Sequence, residues 1–249
     1  MDERSAAFFT YDEAIEVAVT RLDAAPDEVD AAAAMLADDE RQRADRFVYG
    51  RDRRRFIVAR AWLRQLLGSK LHMRAQAVEF VYGEYGKPAL APICAATGLR
   101  FNLAHAGELA VCALARGREV GIDVEAVRAI RDAEAIATRF FSVRECNAYR
   151  ALEARDRPLG FFNCWTRKEA FVKAIGDGLG YPLDSFEVSL SPTEPARLLR
   201  VGDAPGRGSG WEIHAFAPVP GHIGAIVVRQ VAGRPARAAL SPLAVHPLS

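Results

Sequence analysis

The feature that most constrains this chain is an order of elements that runs through twice. Helices come first, then short strands joined by glycine turns. Segments 27–48 and 51–68 carry apolar residues at helical spacing, and in the second Phe56, Ile57, Ala59, Leu63, Leu66 and Leu67 recur before a stop at Gly68. Strands are predicted at 78–82, 99–103 and 109–115, with turns through Gly83-Glu84-Tyr85-Gly86-Lys87-Pro88 and His105-Ala106-Gly107. A polar, glycine-containing stretch at 116–119 marks a boundary. Beyond it a strand at 120–124 leads into helices at 133–140, 143–152 and 159–175. Ser142 with Glu145 three residues on forms a capping box. Strands return at 186–190, 212–216 and 224–228, separated by a Pro- and Gly-rich loop at 191–210. The expectation is an α+β fold of two similar halves, 1–118 and 119–230, packed as a pseudo-dimer within one chain. A poorly packed tail follows at 231–249. A ligand site belongs at the seam.

Composition narrows the rest. With 249 residues, half of them hydrophobic, the chain buries a core without disulfides. Thirty-three basic against 32 acidic residues leave a formal charge of +1, so any electrostatic site is local. No window approaches the ~18 apolar residues of a membrane span. Met1-Asp2-Glu3-Arg4 leads into no signal-like block. The reading is a soluble, cytoplasmic protein. Cys94, Cys112, Cys146 and Cys164 form no close pair and read as reduced, buried hydrophobes.

Five groups of residues bear on chemistry. In Gly121-Ile122-Asp123-Val124-Glu125, strand alternation sends Ile122 and Val124 into the core and Asp123 and Glu125 outward together. Paired carboxylates suit a hard divalent ion, whereas an isolated pair is commonly a solvated acidic face. In Trp165-Thr166-Arg167-Lys168-Glu169-Ala170-Phe171-Val172-Lys173, Glu169 and Lys173 lie one helical turn apart. They suit a metal–phosphate site, or merely an i,i+4 ion pair of ~0.2–0.5 kcal/mol. His105 follows Arg100-Phe101-Asn102-Leu103-Ala104 at a bend and is placed to face phosphate. Lys87 is one of only four lysines, the others being Lys70, Lys168 and Lys173. The segment 41–60 holds Arg41, Arg43, Arg46, Arg51, Arg53, Arg54, Arg55 and Arg60, a solvated face that includes phosphate-forking candidates.

Taken in this order, with Arg139-Phe140-Phe141-Ser142 between the two acidic motifs and Gly178-Leu179 and Pro182-Leu183-Asp184 after them, the chain resembles the 4'-phosphopantetheinyl transferase superfamily. The resemblance is to its larger, two-half Sfp type, and runs from the Arg-rich helices to about Val228. It implies transfer of phosphopantetheine from coenzyme A to a serine of an apo acyl or peptidyl carrier protein, releasing adenosine 3',5'-bisphosphate. It further implies that Asp123, Glu125 and Glu169 bind magnesium, with manganese as a substitute, and that Glu169 takes or positions the serine proton. Lys173 would stabilise the breaking pyrophosphate. Arg43, Arg55 and His105 would hold the 3'-phosphate and adenine end, and Lys87 would touch the nucleotide. Asp123 and Lys173 thus count among the cofactor contacts as well. The partner is an acidic carrier, expected on Arg128, Arg131, Arg139 and Arg144 with Phe140 and Phe141; the enzyme acts as a monomer, with no nucleic acid and no membrane. Two departures from the family stand out: Ala104 and Ala106 flank the histidine where hydroxyl residues are common, and Glu40 stands where some relatives are basic.

A competing reading is a non-catalytic RNA- or anion-binding protein using the 41–60 face, which predicts salt-dependent binding. It gives no reason for three carboxylates and a lysine at this spacing.

Overall fold

The computed structural model describes residues 7–12, 15–202 and 210–230. The repeated unit begins one strand earlier than the sequence pattern suggests. The first half runs β1 (Ala7–Asp12), β2 (Ile15–Arg21), α1 (Pro26–Ala33), α2 (Asp38–Ala44) and α3 (Gly50–Leu71). It continues through a small ribbon, β3 (Phe80–Tyr82) and β4 (Pro88–Leu90), then α4 (Pro92–Ala95) and the hairpin β5 (Leu99–Ala106) and β6 (Leu109–Arg116). The second half runs β7 (Val120–Ala126), α5 (Ala133–Phe140), α6 (Val143–Ala151), α7 (Arg157–Ile175), β8 (Phe186–Val188), β9 (Leu198–Val201), and the hairpin β10 (Trp211–Phe216) and β11 (His222–Arg229). The sheets have the orders β1-β2-β6-β5 and β10-β11-β7. β2 pairs antiparallel with β6, and β7 pairs antiparallel with β11, in each case the second strand of the hairpin. Strand, long helix and hairpin therefore occur twice.

The layers follow from which face of each strand is apolar. On β6, Val111, Ala113 and Ala115 face the other sheet, while Cys112 and Leu114 pack with Leu63, Leu66 and Leu67 of α3. On β11, Ile226 and Val228 face the seam, while Ala225 and Val227 pack with Phe171 and Ala174 of α7. The order through the molecule is helix, sheet, sheet, helix. Both sheets are covered on both sides, so their central strands bury residues on both faces. β2 is such a strand, with Ile15, Val17, Ala18 and Val19 all buried; Ile15, Val17 and Val19 alternate with Glu16 and Thr20, a period-2 pattern that the expected order of elements leaves unassigned.

The two sheets meet edge to edge as well. β5 and β7 are edge strands, and Asn102 bridges them: its Oδ1 accepts from the Ile122 N–H at 2.8 Å, deep in the seam. The expected helix at 27–48 is two helices. Ala37 is extended (ψ 165°), and its N–H donates to Glu40 Oε2 at 2.9 Å, starting α2 afresh. That restart turns Glu40 inward to the guanidinium groups of Arg60 (3.3 Å) and Arg64 (2.7 Å), all three side chains being buried. The loop expected at 191–210 contains β9, while its residues 203–209 and the tail 231–249 lie outside the described residues.

Candidate active site

The site begins with a glycine. A Cβ on Gly121 would fall 2.1 Å from the Ala170 carbonyl oxygen and 2.3 Å from the Ala174 nitrogen. Only a residue without a side chain lets α7 lie directly on β7. Two residues along the same face, Asp123 is sealed beneath that helix and is 7% exposed. The sequence reading placed Asp123 beside solvent. It does point away from Ile122 and Val124, but the second layer on that face is α7, not water.

Across the gap, Lys173 of α7 brings its Nζ to 2.6 Å from Asp123 Oδ1, while Asp123 Oδ2 is buried with no hydrogen-bond partner. Lys173 thus reaches the strand rather than Glu169 on its own helix. Burial pushes the Asp123 carboxyl up to about 6, opposed by Lys173 and assisted by Glu125. Burial also raises Glu169, again opposed by Lys173, with Asp123 adding to the rise. Glu125, half-buried at the end of β7, pairs with Arg128 at 3.5 Å. Among the described residues no three acidic, histidine or cysteine side chains are gathered as a metal cluster. An orphaned buried carboxylate oxygen beside further carboxylates nevertheless fits a hard divalent cation, whose ligands are oxygen.

His105 lies on β5 rather than at a bend, since β5 continues to Ala106. It is exposed at its edge, on the opposite strand face from Ala104 and Ala106, which are buried in the core between the sheets. Hydroxyls at 104 and 106 would therefore enter that core. The mass around the His105 ring lowers its pKa first and the charge of Lys173 lowers it further; Asp52 opposes and Arg55 adds to the fall. Arg55 is thereby placed near His105, and it holds Asp23 in a two-point pair, 2.7 and 2.9 Å. That pair is exposed and costs little to part. Arg43 lies over the Phe56 ring at 5.6 Å. It also lines an open groove of about 550 Å³ with Asp39, Gln42, Arg46, Phe47, Tyr82 and Gly86.

Lys87 reaches across the seam. Its amine donates to the carbonyl of Lys173 and lies 3.4 Å from that of Val120, so it faces the second half of the protein. Lys168, beside Glu169 in sequence, is wholly buried: it pairs with Glu145 at 2.7 Å and donates to the Leu183 and Phe186 carbonyls. Glu145 also accepts from Val188 N–H and closes the Ser142 capping box. Of the eight arginines in 41–60, five face carboxylates: Arg41, Arg51, Arg53, Arg55 and Arg60. That spends much of the face on internal pairing. On the expected partner surface, Arg139 covers Phe140 and Arg128 covers Phe162, each at 5.1 Å. Phe141 is a correction: it is buried, and Val143, 79% exposed, is the apolar residue presented there.

Residues 119–220 match the sequence model of the 4'-phosphopantetheinyl transferase superfamily, and residues 22–116 that of the 4'-phosphopantetheinyl transferase N-terminal region. The 4'-phosphopantetheinyl transferase HetI of Nostoc sp. strain PCC 7120 is 45% identical over 166 residues, spanning 67% of this chain and 70% of that protein. The chain belongs to the 4'-phosphopantetheinyl transferase superfamily. The 4'-phosphopantetheinyl transferase Sfp of Bacillus subtilis strain 168 is 31% identical over 155 residues, 62% of this chain and 66% of that protein. This Sfp-type transferase has its two matched regions on either side of the 116–119 turn, one to each half.

Sequence reasoning gave no structural role to three residues that position the elements of the two halves. Gly121 sat in the quoted motif, and a glycine inside a strand is itself a signal of close backbone approach. Asn102 likewise stood in a quoted motif, but nothing in its neighbourhood indicates a partner twenty residues away. Glu40 looked like a lost base and is instead the counter-charge of two buried arginines.

Proposed function

We propose that the protein moves the 4'-phosphopantetheine group from coenzyme A to a serine of an apo carrier protein, leaving adenosine 3',5'-bisphosphate. The observation that supports this most is the meeting of Asp123, Glu169 and Lys173 across the β7–α7 contact, with Asp123 Oδ2 buried and unpartnered. The second half, 119–230, supplies this chemistry, and the first half, 1–118, supplies nucleotide contacts from Arg43, Arg55 and His105.

A serine hydroxyl is a poor nucleophile and needs a positioned base. Glu169 takes that role: its raised pKa makes its carboxylate a better proton acceptor than an ordinary surface glutamate. Lys173 donates to the phosphate oxygens as the leaving bisphosphate gains charge. Magnesium, when bound by Asp123, Glu125 and Glu169, supplies charge neutralisation at the pyrophosphate. Aligning serine and phosphate in the seam provides much of the rate. An acidic carrier docks on Arg128, Arg139 and Arg144 beside Val143, and both halves of the site lie within one chain, so a monomer suffices.

The test is to mix the protein with coenzyme A, magnesium and a panel of apo carrier proteins and weigh the products. Gain of one phosphopantetheine on a carrier, lost in excess chelator, is the expected result. No gain on any carrier overturns the reaction; full gain in chelator overturns the metal.

A further inference from the structure

We propose that Lys87 is a positioning residue of the active site, its ammonium tying together the two elements that carry Asp123, Glu169 and Lys173. The proposal rests on the reaction set out above. Lys87 comes from the first half, at the foot of the β3–β4 ribbon. Its turn is closed by Gly83 N–H to the Lys87 carbonyl at 3.0 Å and Gly86 N–H to the Gly83 carbonyl at 2.9 Å. The neighbouring Tyr85 ring lies flush on Gly178, where a Cβ would fall 2.4 Å from Tyr85 Cγ. Tyr85 and Lys87 thus seat the turn on the second half.

The Lys87 amine lands on two carbonyls. One belongs to Lys173, in the last turn of α7, where backbone carbonyls lack intrahelical partners. A cation there satisfies the oxygen and complements the negative end of the helix dipole. The other, at 3.4 Å, belongs to Val120, three residues before Asp123 on β7. One ammonium therefore spans the helix that carries Glu169 and Lys173 and the strand that carries Asp123. A compact amine with three donors serves two converging carbonyls better than a planar guanidinium fork. That distinction carries weight in a chain with four lysines among 33 basic residues.

The experiment uses the full chain with coenzyme A and dephospho-coenzyme A as alternative donors, and the variants Lys87→Met and Lys87→Arg. Lys87→Met is expected to lower kcat at least tenfold with both donors alike, to leave the coenzyme A KM within twofold, and to speed amide exchange in the last turn of α7. Lys87→Arg, which keeps the charge, recovers part of kcat. A loss confined to coenzyme A, a raised KM with kcat intact, or unchanged exchange in that turn makes Lys87 a nucleotide contact and overturns the proposal. If Lys87→Met does not fold, Lys87→Arg carries the test: a partial kcat loss shared by both donors supports positioning, and a coenzyme A-selective loss opposes it. Should the unaltered protein transfer nothing, the reaction fails, while the exchange data still judge the tie to α7.

Discussion

Burial beneath α7 lifts the Asp123 carboxyl from an ordinary 3.8 to about 6, Lys173 opposing and Glu125 assisting. A folded-state pKa above the unfolded one means that the folded protein binds the proton more tightly. The contribution of Asp123 to stability is thus fully present below about pH 4 and is lost as the pH rises through 6. A displacement of that size is worth roughly 3 kcal/mol. Asp123→Asn removes the titration in a side chain of the same shape. In metal-free protein at pH 7.5 it is expected to raise Tm by several degrees, with the gain fading toward pH 4.5, and to abolish transfer. Thermal scans across that range check it; a Tm at or below that of the parent at pH 7.5 contradicts the buried-charge account.

At the scale of elements, the site is made by one contact, α7 on β7. Its closeness depends on Gly121, because any Cβ there collides with the backbone of Ala170 and Ala174 rather than with a movable side chain. α7 is also held along its length by polar anchors: Asn163 to the Leu190 carbonyl at 3.1 Å, Arg167 to Ser189, and Lys168 to Glu145. With the helix anchored in this way, the strain of an added methyl falls on the helix position. Gly121→Ala is expected to cost about 1–3 kcal/mol of stability. A shift of about 1 Å between Asp123 and the Glu169–Lys173 pair should lower kcat/KM on the order of a hundredfold. Denaturant melts and steady-state kinetics read the two separately, and parental activity in this variant contradicts the close-contact account.

The whole molecule is joined by a shared core between the sheets, with Val17, Val111 and Ala113 from the first half against Ile122, Val124 and Ile226 from the second. Neither half can bury its inner sheet face alone, so the two are expected to unfold together. Asn102 adds the hydrogen bond that satisfies the edge N–H of Ile122. Asn102→Ala leaves that group buried and unpaired, at a cost of about 1–3 kcal/mol. Urea unfolding followed by both fluorescence and circular dichroism should show one transition for parent and variant, with the variant midpoint lower. Two separated transitions in the parent contradict a common core.

The sequence by itself determined the residue types and the periods. Glu169 and Lys173 one turn apart, Ser142 with Glu145 as a cap, the helices 133–140 and 159–175 and the hairpins with their glycine turns depend on neighbours within a few positions. Such neighbours are visible in a string. The twofold order of elements was legible too, because each half carries its own helical and strand periods. Only the tertiary structure decided what each charged group meets. Asp123 lies beneath a helix fifty positions away, Lys87 caps that helix from the other half, Phe141 is buried where Val143 is exposed, and Glu40 neutralises Arg60 and Arg64. β2 is the exception, since Ile15, Val17 and Val19 alternate with Glu16 and Thr20 and the strand was legible in the string although no element was assigned there. Local spacing sets which face a side chain takes on its own element; what stands opposite that face is set by packing between elements distant in sequence, and no local period records it.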